Sequence, residues 1–423
     1  MSDRQQQFIN RSVRQLAWRN LWRHKTRSWL TLSAIAITTL LLVFMLSFQF
    51  GTYDTMKQQN LSLMSGFAQV QNPEFAERPN LQNGFTIGKN WTAILDQQSQ
   101  LKHYSFRAQS FAILSNLSDS KNRAVQIIGV QPQREKSLSS LSQNISAGNY
   151  FTDQNQVMPI VLGKQLADAL ELKIGDQLQL LGQDAYGSLA VELFTLVGTF
   201  DLNISELNSQ LAQIRLSDFQ QLFAYQNKAQ QLVLKTDKLE QMDKLAKPLF
   251  QKLEQDAYPQ NLRWRDWKDL QPGLYQTIQM DIASAFLWYS ALLLIVVLIV
   301  LNTLYMSILE RHNEFALLHA LGMHPSQISR MLSFEMLLLI SLGLLLGWLL
   351  SVIVSAYFMQ VGITFPGMEE LFAQFGISGT LYPQLSLMSL GFVPLVFLLS
   401  WFLMAFMVRF RIAKIKPLTS RQL

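Results

Sequence analysis

The chain has no cysteine and few charged residues for its length of 423 residues. Without cysteine it can form no disulfide bond, no thiolate metal site and no thiol nucleophile. Charged residues make up 15% of the chain and hydrophobic residues 49%. This balance is too apolar for a typical soluble protein and too polar for one that lies wholly within a membrane. We therefore expect both membrane-spanning and water-exposed segments.

The sequence also lacks the common nucleotide-binding and catalytic motifs. A phosphate-binding loop needs a glycine five positions before its Gly-Lys pair, and the pairs at Gly88 and Gly163 have another residue there. No G-x-S-x-G motif occurs, and the five histidines lack the spacing of a zinc site. His312, His319 and His324 lie close together in sequence, where a polar surface is a simpler interpretation than a metal site. We expect a non-catalytic chain that binds no cofactor or metal itself.

Four long hydrophobic runs are the main positive signal, each free of formal charge over at least 22 residues. They cover residues 29–50, 282–309, 336–359 and 385–408. A helix rises about 1.5 Å per residue, so about 20 apolar residues cross the hydrocarbon core of a bilayer. The runs therefore predict four transmembrane helices.

Charge flanking the runs predicts their orientation. Seven basic residues and one acid precede the first run, five basic residues and no acid follow the last, and segment 360–384 holds Glu369 and Glu370 but no base. Because basic flanks stay in the cytosol, we expect both termini there and residues 51–281 on the outer side. The outer segment has 21 basic and 23 acidic residues, so the formal charge of +6 reflects topology and does not indicate nucleic-acid binding.

The predicted fold class is an α-helical membrane protein with four transmembrane helices and a large α+β extracytoplasmic domain inserted between the first two. Its parts are a cytosolic basic segment (1–28), a first helix (29–50), the outer domain (51–281), a second helix (282–309), a cytosolic helical segment (310–330), a third helix (331–359), an extracytoplasmic loop (360–384), a fourth helix (385–408) and a cytosolic tail (409–423).

Hydrophobic periodicity predicts the elements of the outer domain. Strands are expected at residues 122–130, 176–182, 191–200 and 230–236, and helices at 163–176, 217–225 and 238–253. Ser217 is the expected N-cap of the second of these helices. Residues 71–88 are predicted to form a mobile loop. The helical pattern that starts near Pro272 continues into the second hydrophobic run, which predicts a stalk that projects from the membrane.

The segment between the second and third runs has a helical pattern of its own. Phe315, Leu318 and Leu321 recur at intervals of three residues, and Gly322 followed by Pro325 indicates a helix stop and restart. The simplest interpretation is a helical hairpin whose apolar side packs on its own bundle. However, a plain hairpin needs only a few residues, so a short helix that presents apolar side chains to a partner is the alternative.

This segment resembles the coupling region of the FtsX-like permease family, the ABC-transporter membrane subunits of the MacB, LolC and LolE type. The family pattern is roughly E-R-x-x-E-[IF]-[GA]-x-L-[RK]-A-[LI]-G. The residues that fall on it are Glu310, Arg311, Glu314, Phe315, Leu318, Ala320, Leu321 and Gly322. His319 stands where the family usually has Arg or Lys. The stretches LAWRNLWRHKTRSWLTL near the N-terminus and PIVLGKQLADALELKIGDQLQL in the outer domain resemble further family motifs.

The resemblance implies a permease dimer, formed with a second copy or a paralogue, in the bacterial inner membrane. Two cytosolic ABC ATPase subunits would bind ATP and Mg²⁺ and dock on residues 310–322, with Phe315, Leu318 and Leu321 as apolar anchors and Glu310, Arg311 and Glu314 as a polar rim. With only 28 residues before the first run, we expect the ATPase to be a separate chain. A periplasmic carrier, an outer-membrane component and membrane lipid are further partners that the family allows.

The resemblance leaves three functions open. Release of lipoproteins or another hydrophobic cargo from the inner membrane, in the manner of LolC and LolE, is the first. Efflux of peptides or drugs in the manner of MacB is the second. The third is an FtsX-like regulator of cell-wall hydrolysis that transports nothing.

Two features of the third run carry separate predictions. Glu335 lies inside the apolar helix, where we expect it to pair with Arg330 or to reach the membrane interface; a coupling role is the alternative. Gly343 and Gly347 form a G-x-x-x-G pattern, which predicts close packing against another helix.

Overall fold

The computed structural model describes residues 25–117, 121–151, 157–202, 204–321, 323–367 and 379–412. It divides into two compact units. The helical unit comprises the described residues of Met1–Thr55, Ile278–Thr364 and Thr380–Leu423. The α/β unit comprises those of Met56–Thr277 and Phe365–Gly379. The N-terminal family motif before residue 25, Gly322, Glu369, Glu370 and the tail after residue 412 lie outside the described residues.

The described helices and strands follow in chain order. The helices are α1 (Lys25–Asn60), α2 (Trp91–Asp96), α3 (Pro132–Leu138), α4 (Lys164–Ala169), α5 (Ser205–Gln210), α6 (Leu216–Leu222), α7 (Leu239–Ala257), α8 (Trp267–Leu270), α9 (Pro272–Glu310), α10 (His312–Ala320), α11 (Pro325–Val361) and α12 (Leu387–Ile412). The strands are β1 (Ala68–Gln71), β2 (Phe85–Thr86), β3 (His103–Asn116), β4 (Asn122–Val130), β5 (Ile145–Gly148), β6 (Pro159–Gly163), β7 (Gln177–Gln183), β8 (Leu189–Phe200), β9 (Leu211–Arg215), β10 (Lys228–Ala229), β11 (Gln231–Lys235), β12 (Arg263–Asp266), β13 (Ile363–Thr364) and β14 (Thr380–Leu381).

Four helices of the described chain are long and apolar enough to cross a membrane. These spans are Ser28–Ser65, Pro272–Glu310, Pro325–Val361 and Leu387–Arg409. Each contains one of the hydrophobic runs or most of it, so the four predicted helices are confirmed as helices. The helix that includes the second run begins at Pro272, as the sequence predicted, because proline is well tolerated in a first helical turn.

Helix α11 packs closely on α1 through the two predicted glycines. A Cβ atom added at Gly343 would lie 2.8 Å from Ile35 Cβ, and one added at Gly347 would lie 2.3 Å from the carbonyl oxygen of Ala36. Because only glycine leaves room for this approach, the G-x-x-x-G pattern marks a helix contact, as predicted. On another side of α11, Trp401 Nε1 donates a hydrogen bond to the Ser333 carbonyl oxygen at 2.9 Å, which joins α12 to α11.

The α/β unit is built on one sheet of ten described strands. Antiparallel pairing joins β12, β1, β11 and the first half of β3. The second half of β3 pairs with both β4 and β7, and the pairings β3–β4–β9–β6–β8–β7–β3 close a ring. The four predicted strands correspond to β4, β7, β8 and β11 with ends within two residues, but the ring depends on pairings between strands distant in sequence.

Two local predictions for the α/β unit are wrong. Helix α6 begins at Leu216, and Ser217 is not its N-cap; Arg215 precedes the helix and its Nε donates to Asp218 Oδ2 at 2.6 Å. Residues 71–88, predicted as a mobile loop, contain short helices at Pro73–Ala76 and Leu81–Asn83 as well as β2, so the expectation that they lack regular structure is corrected. Buried side chains anchor this stretch, namely Phe75, Leu81 and Phe85.

Candidate coupling segment and apolar chamber

The connection between α9 and α11 is a short helix with defined ends. Helix α9 ends at Glu310, Arg311 leaves the helical conformation, and α10 covers His312–Ala320. Helix α11 restarts at Pro325, where the His324 side chain accepts from the Ser326 amide and the Gln327 side chain accepts from the His324 amide. These reciprocal bonds satisfy amides at the new helix start. The break, the short helix and the restart are therefore confirmed.

Helix α10 has one face in the core of the helical unit and one face outside it. Phe315 is fully buried in the apolar cluster that includes Leu304 and Leu332, and Leu318 packs against the same cluster. Leu317 is 56% exposed and Leu321 is 76% exposed. The prediction that Phe315 projects from the chain is wrong, because spacing defines a helical face but not the side on which the bundle lies.

The other predicted site residues divide between the two faces. Glu310 and Ala320 are exposed, whereas Glu314 and His319 are half-buried. His319 Nδ1 lies 3.1 Å from the Met323 carbonyl oxygen, so its ring closes the end of α10. Leu317 was not among the predicted residues, although Asn313, Leu317 and Leu321 recur every four residues and lie on the exposed face.

A buried arginine connects α10 to α11. Arg311 Nε donates to Glu314 Oε2 at 3.0 Å, and Nη1 donates to Glu335 Oε2 at 3.2 Å. The side chains of Arg311 and Glu335 are 8% and 4% exposed. The expectation for Glu335 is therefore corrected: it is buried and pairs with Arg311, whereas Arg330 is exposed. Burying a charged group costs much free energy unless the group is paired and hydrogen-bonded, as Arg311 and Glu335 both are.

An apolar chamber of about 200 Å³ lies between α1, α9 and α12. Its lining includes Leu42 and Leu46 of α1, Leu293 of α9 and Val393 of α12. Almost all of this lining is hydrocarbon, so the chamber suits an alkyl chain and disfavours an ion.

Polar side chains join α1 and α9 near this chamber. Tyr289, whose ring lines the chamber, donates its hydroxyl to Gln49 Oε1 at 2.8 Å. Tyr53 donates to Asp281 Oδ2 at 2.5 Å, and Gln49 Nε2 lies 3.2 Å from the same oxygen. These bonds fix α1 and α9 at one end of the contact. Among the described residues, no group of three histidine, aspartate or glutamate side chains could hold a metal ion.

Both parts of the chain are similar to known protein families. Residues 28–249 match the MacB-like periplasmic core domain, and residues 287–413 match the C-terminal domain of FtsX-like permeases. The lipoprotein-releasing system transmembrane protein LolC of Neisseria meningitidis serogroup B is 22% identical over 72% of this chain and 76% of its own length. LolE of Haemophilus influenzae is 23% identical over 82% of this chain and 81% of its own. The crystal structure of the periplasmic region of MacB from Actinobacillus actinomycetemcomitans is similar with a TM-score of 0.37 and 14% identity, over 52% of this chain and 96% of that one.

Proposed function

This chain belongs to the family of ABC-transporter permeases that combine MacB-like and FtsX-like domains, and we propose that it releases lipoproteins or another hydrophobic cargo from the bacterial inner membrane. It acts as a non-catalytic membrane subunit, and a separate ATPase that binds ATP and Mg²⁺ drives it. The observation that carries this proposal is the similarity to LolC and LolE over 72% and 82% of the chain.

The proposed topology follows the charge distribution of the sequence. Both termini and α10 lie in the cytosol, α1, α9, α11 and α12 cross the membrane, and the α/β unit lies in the periplasm. The basic flanks at the two termini support this orientation. A second permease chain, either another copy or a paralogue, completes the transporter.

Helix α10 is the proposed docking site for the ATPase. Leu317 and Leu321 expose apolar side chains, and Glu310 at the end of α9 is also exposed. Apolar side chains at the centre with polar residues around them are typical of protein interfaces. Arg311, Phe315 and Leu318 support α10 from inside the helical unit, and the half-buried Glu314 holds Arg311. His319, Ala320 and Gly322 belong to the end of the segment. ATP-driven movement of α10 is then transmitted to the outer domain.

The apolar chamber is the proposed contact for the alkyl part of the cargo. Its hydrocarbon lining favours an acyl chain over a soluble peptide. The MacB-like core domain over residues 28–249 favours efflux of peptides or drugs as a second candidate function.

Release of a triacylated lipoprotein from proteoliposomes tests the proposal. With the chain, its second permease subunit and the ATPase present, we expect ATP-dependent transfer of the lipoprotein to the soluble fraction. Leu293→Trp fills the chamber and should lower the release rate, whereas Leu294→Trp, at an adjacent exposed position, should not. ATP-dependent export of soluble peptides with no lipoprotein release would instead support the efflux function.

A further inference from the structure

The backbone of Arg311 interrupts the helix between α9 and α10, and its side chain contacts α11. Its backbone dihedral angles, φ −106° and ψ 15°, interrupt the helix between Glu310 at the end of α9 and His312 at the start of α10. Its side chain is nevertheless buried, and it reaches Glu335 of α11, 24 residues further along the chain. The point where the backbone changes direction is therefore held by a neighbouring helix.

The guanidinium group makes two charged contacts in different directions. One nitrogen bonds Glu335 on α11 at 3.2 Å, and another bonds Glu314 in the first turn of α10 at 3.0 Å. The group also lies 5.1 Å from the ring centroid of Phe315, which is fully buried. Because a guanidinium is planar and its donors have fixed directions, these contacts set the position of α10 relative to α11.

We infer that Arg311 and Glu335 are positioning residues that make α10 and α11 move together when an ATPase displaces α10. The inference rests on the proposed function, because it needs an ATPase that acts on α10. Separating Arg311 from Glu335 breaks a buried ion pair in a region of low dielectric constant, so a displacement that keeps the pair intact is favoured. Helix α11 follows α10, and its close contact with α1 at Gly343 and Gly347 passes the movement further.

Distance measurements on the full chain test this inference, and the absence of native cysteine makes the labelling specific. Nitroxide labels at His312→Cys on α10 and Leu350→Cys on α11 occupy exposed positions. His312 lies five residues before Leu317 and thus on a different side of α10 from the proposed docking face. Double electron–electron resonance is recorded in proteoliposomes, with the chain alone and with the co-purifying ATPase with and without ATP. With the Arg311–Glu335 ion pair unchanged, we expect one narrow distribution of the distance between the two labels in all three samples.

Glu335→Gln removes the charge with little change of shape. We expect a broader distribution in the chain alone, a shift of its mean on addition of ATP, and unchanged co-purification of the ATPase. ATP hydrolysed per released lipoprotein should rise about twofold to thirtyfold, the range typical of altered coupling between sites. Arg311→Ala should act in the same direction, and Arg311→Lys, which keeps the charge, should recover at least part of the narrow distribution and of the coupling.

Arg330→Gln is the matched control, because Arg330 is an exposed arginine five residues from Glu335 on the same helix. It should leave distances and coupling unchanged.

The inference is overturned if Glu335→Gln keeps the narrow, ATP-insensitive distribution, if Arg330→Gln acts as strongly, or if Arg311→Lys is no better than Arg311→Ala. Failure of the proposed function has a different signature: no ATPase co-purifies with the unsubstituted chain, while the distances in the chain alone still decide whether the ion pair positions α10. If Glu335→Gln does not fold, the distance distribution of Arg311→Lys is compared with those of the unsubstituted chain and of Arg311→Ala. A distribution that is narrower and less sensitive to ATP in Arg311→Lys than in Arg311→Ala would support the ion pair, and equal distributions in Arg311→Lys and Arg311→Ala would overturn the inference.

Discussion

The two units of the molecule each contain a buried arginine–glutamate pair, and the two pairs are built differently. In the α/β unit, Arg107 directs Nε and Nη2 at the two carboxylate oxygens of Glu135, at 3.1 and 2.5 Å, and its remaining nitrogen donates to the Met64 carbonyl. In the helical unit, Arg311 divides its donors between two carboxylates on different elements. The first arrangement directs both charged contacts at one carboxylate, whereas the second divides them between two carboxylates.

This difference indicates two uses of the same chemistry. A bidentate pair with a third backbone contact satisfies the guanidinium within a fixed fold. An arginine shared between α10 and α11 makes the position of one element depend on the other. The first pair therefore maintains the α/β unit, and the second is suited to transmit movement within the helical unit.

The two units also differ in which kinds of side chain they expose and bury. The helical unit exposes large aliphatic side chains, for example Leu294, Ile295 and Leu298, and buries small hydroxyl side chains such as Ser351 and Ser355. In the α/β unit the core is apolar and compact, as Phe194 and Phe219 show. Large apolar side chains on the outside, with the few polar side chains turned inward, are the arrangement expected in a bilayer.

The largest expected effect comes from breaking the pair in the α/β unit. Glu135→Ala leaves Arg107 buried without its charge partner, which should lower the free energy of unfolding of this unit by about 3–5 kcal/mol. Hydrogen exchange of the β3 amides in the full chain measures it. Asp237→Ala is the control, since Lys102 and Asp237 form an exposed pair at 3.3 Å and its loss should cost less than about 1 kcal/mol. Equal losses would show that burial does not distinguish the pairs.

A smaller loss of stability should follow from disturbing the close contact between α11 and α1. The Cβ atom of Gly347→Ala would clash with the Ala36 carbonyl oxygen, and forced repacking of this kind costs about 1–3 kcal/mol. Gly391→Ala in α12 is the control, because nothing lies within 4 Å of its added Cβ. Thermal unfolding in detergent should show a lower midpoint for Gly347→Ala alone. A midpoint that drops equally in both variants would contradict the close α1–α11 contact as its cause.

The smallest expected effect is a pH dependence confined to the α/β unit. Burial, followed by the charges of Lys235 and Lys102, lowers the pKa of His103 below its usual value of 6.5. The folded state thus binds this proton less readily than the unfolded state, so stability should fall as pH decreases through about 6.5 and level off below the folded-state pKa. Denaturant titrations between pH 7.5 and about pH 5 measure it. In His103→Gln this part of the pH dependence should be absent; its persistence would assign it to another group.

Hydrophobic runs and local helix signals predicted the elements of the helical unit well. Pro325 after a short apolar helix predicted the restart of α11, because proline and the capping side chains act within one turn. Which side of α10 is buried could not be predicted from the sequence. Phe315 and Leu317 lie on different apolar faces of the helix, and packing against distant helices decides which face is buried.

The partner of Glu335 shows a second limit. Neighbours on one face of a helix are three or four residues apart, whereas residues five apart lie on different sides. Arg330 and Glu335 therefore do not face each other on α11. The actual partner, Arg311, is 24 residues away and is brought near only by the register of α9, α10 and α11. Similarly, the ring of strands in the α/β unit joins β3 to β7 and β4 to β9, which no local pattern specifies.

Photocrosslinking from α10 tests the central claim most directly. A photoreactive amino acid at Leu317 or Leu321, on the exposed face of α10, should crosslink to the ATP-binding subunit in intact cells. The same residue at Leu298, which is exposed in the middle of α9, should not. If Leu317 and Leu321 yield no more ATPase adduct than Leu298, α10 is not the site at which the ATPase drives this permease.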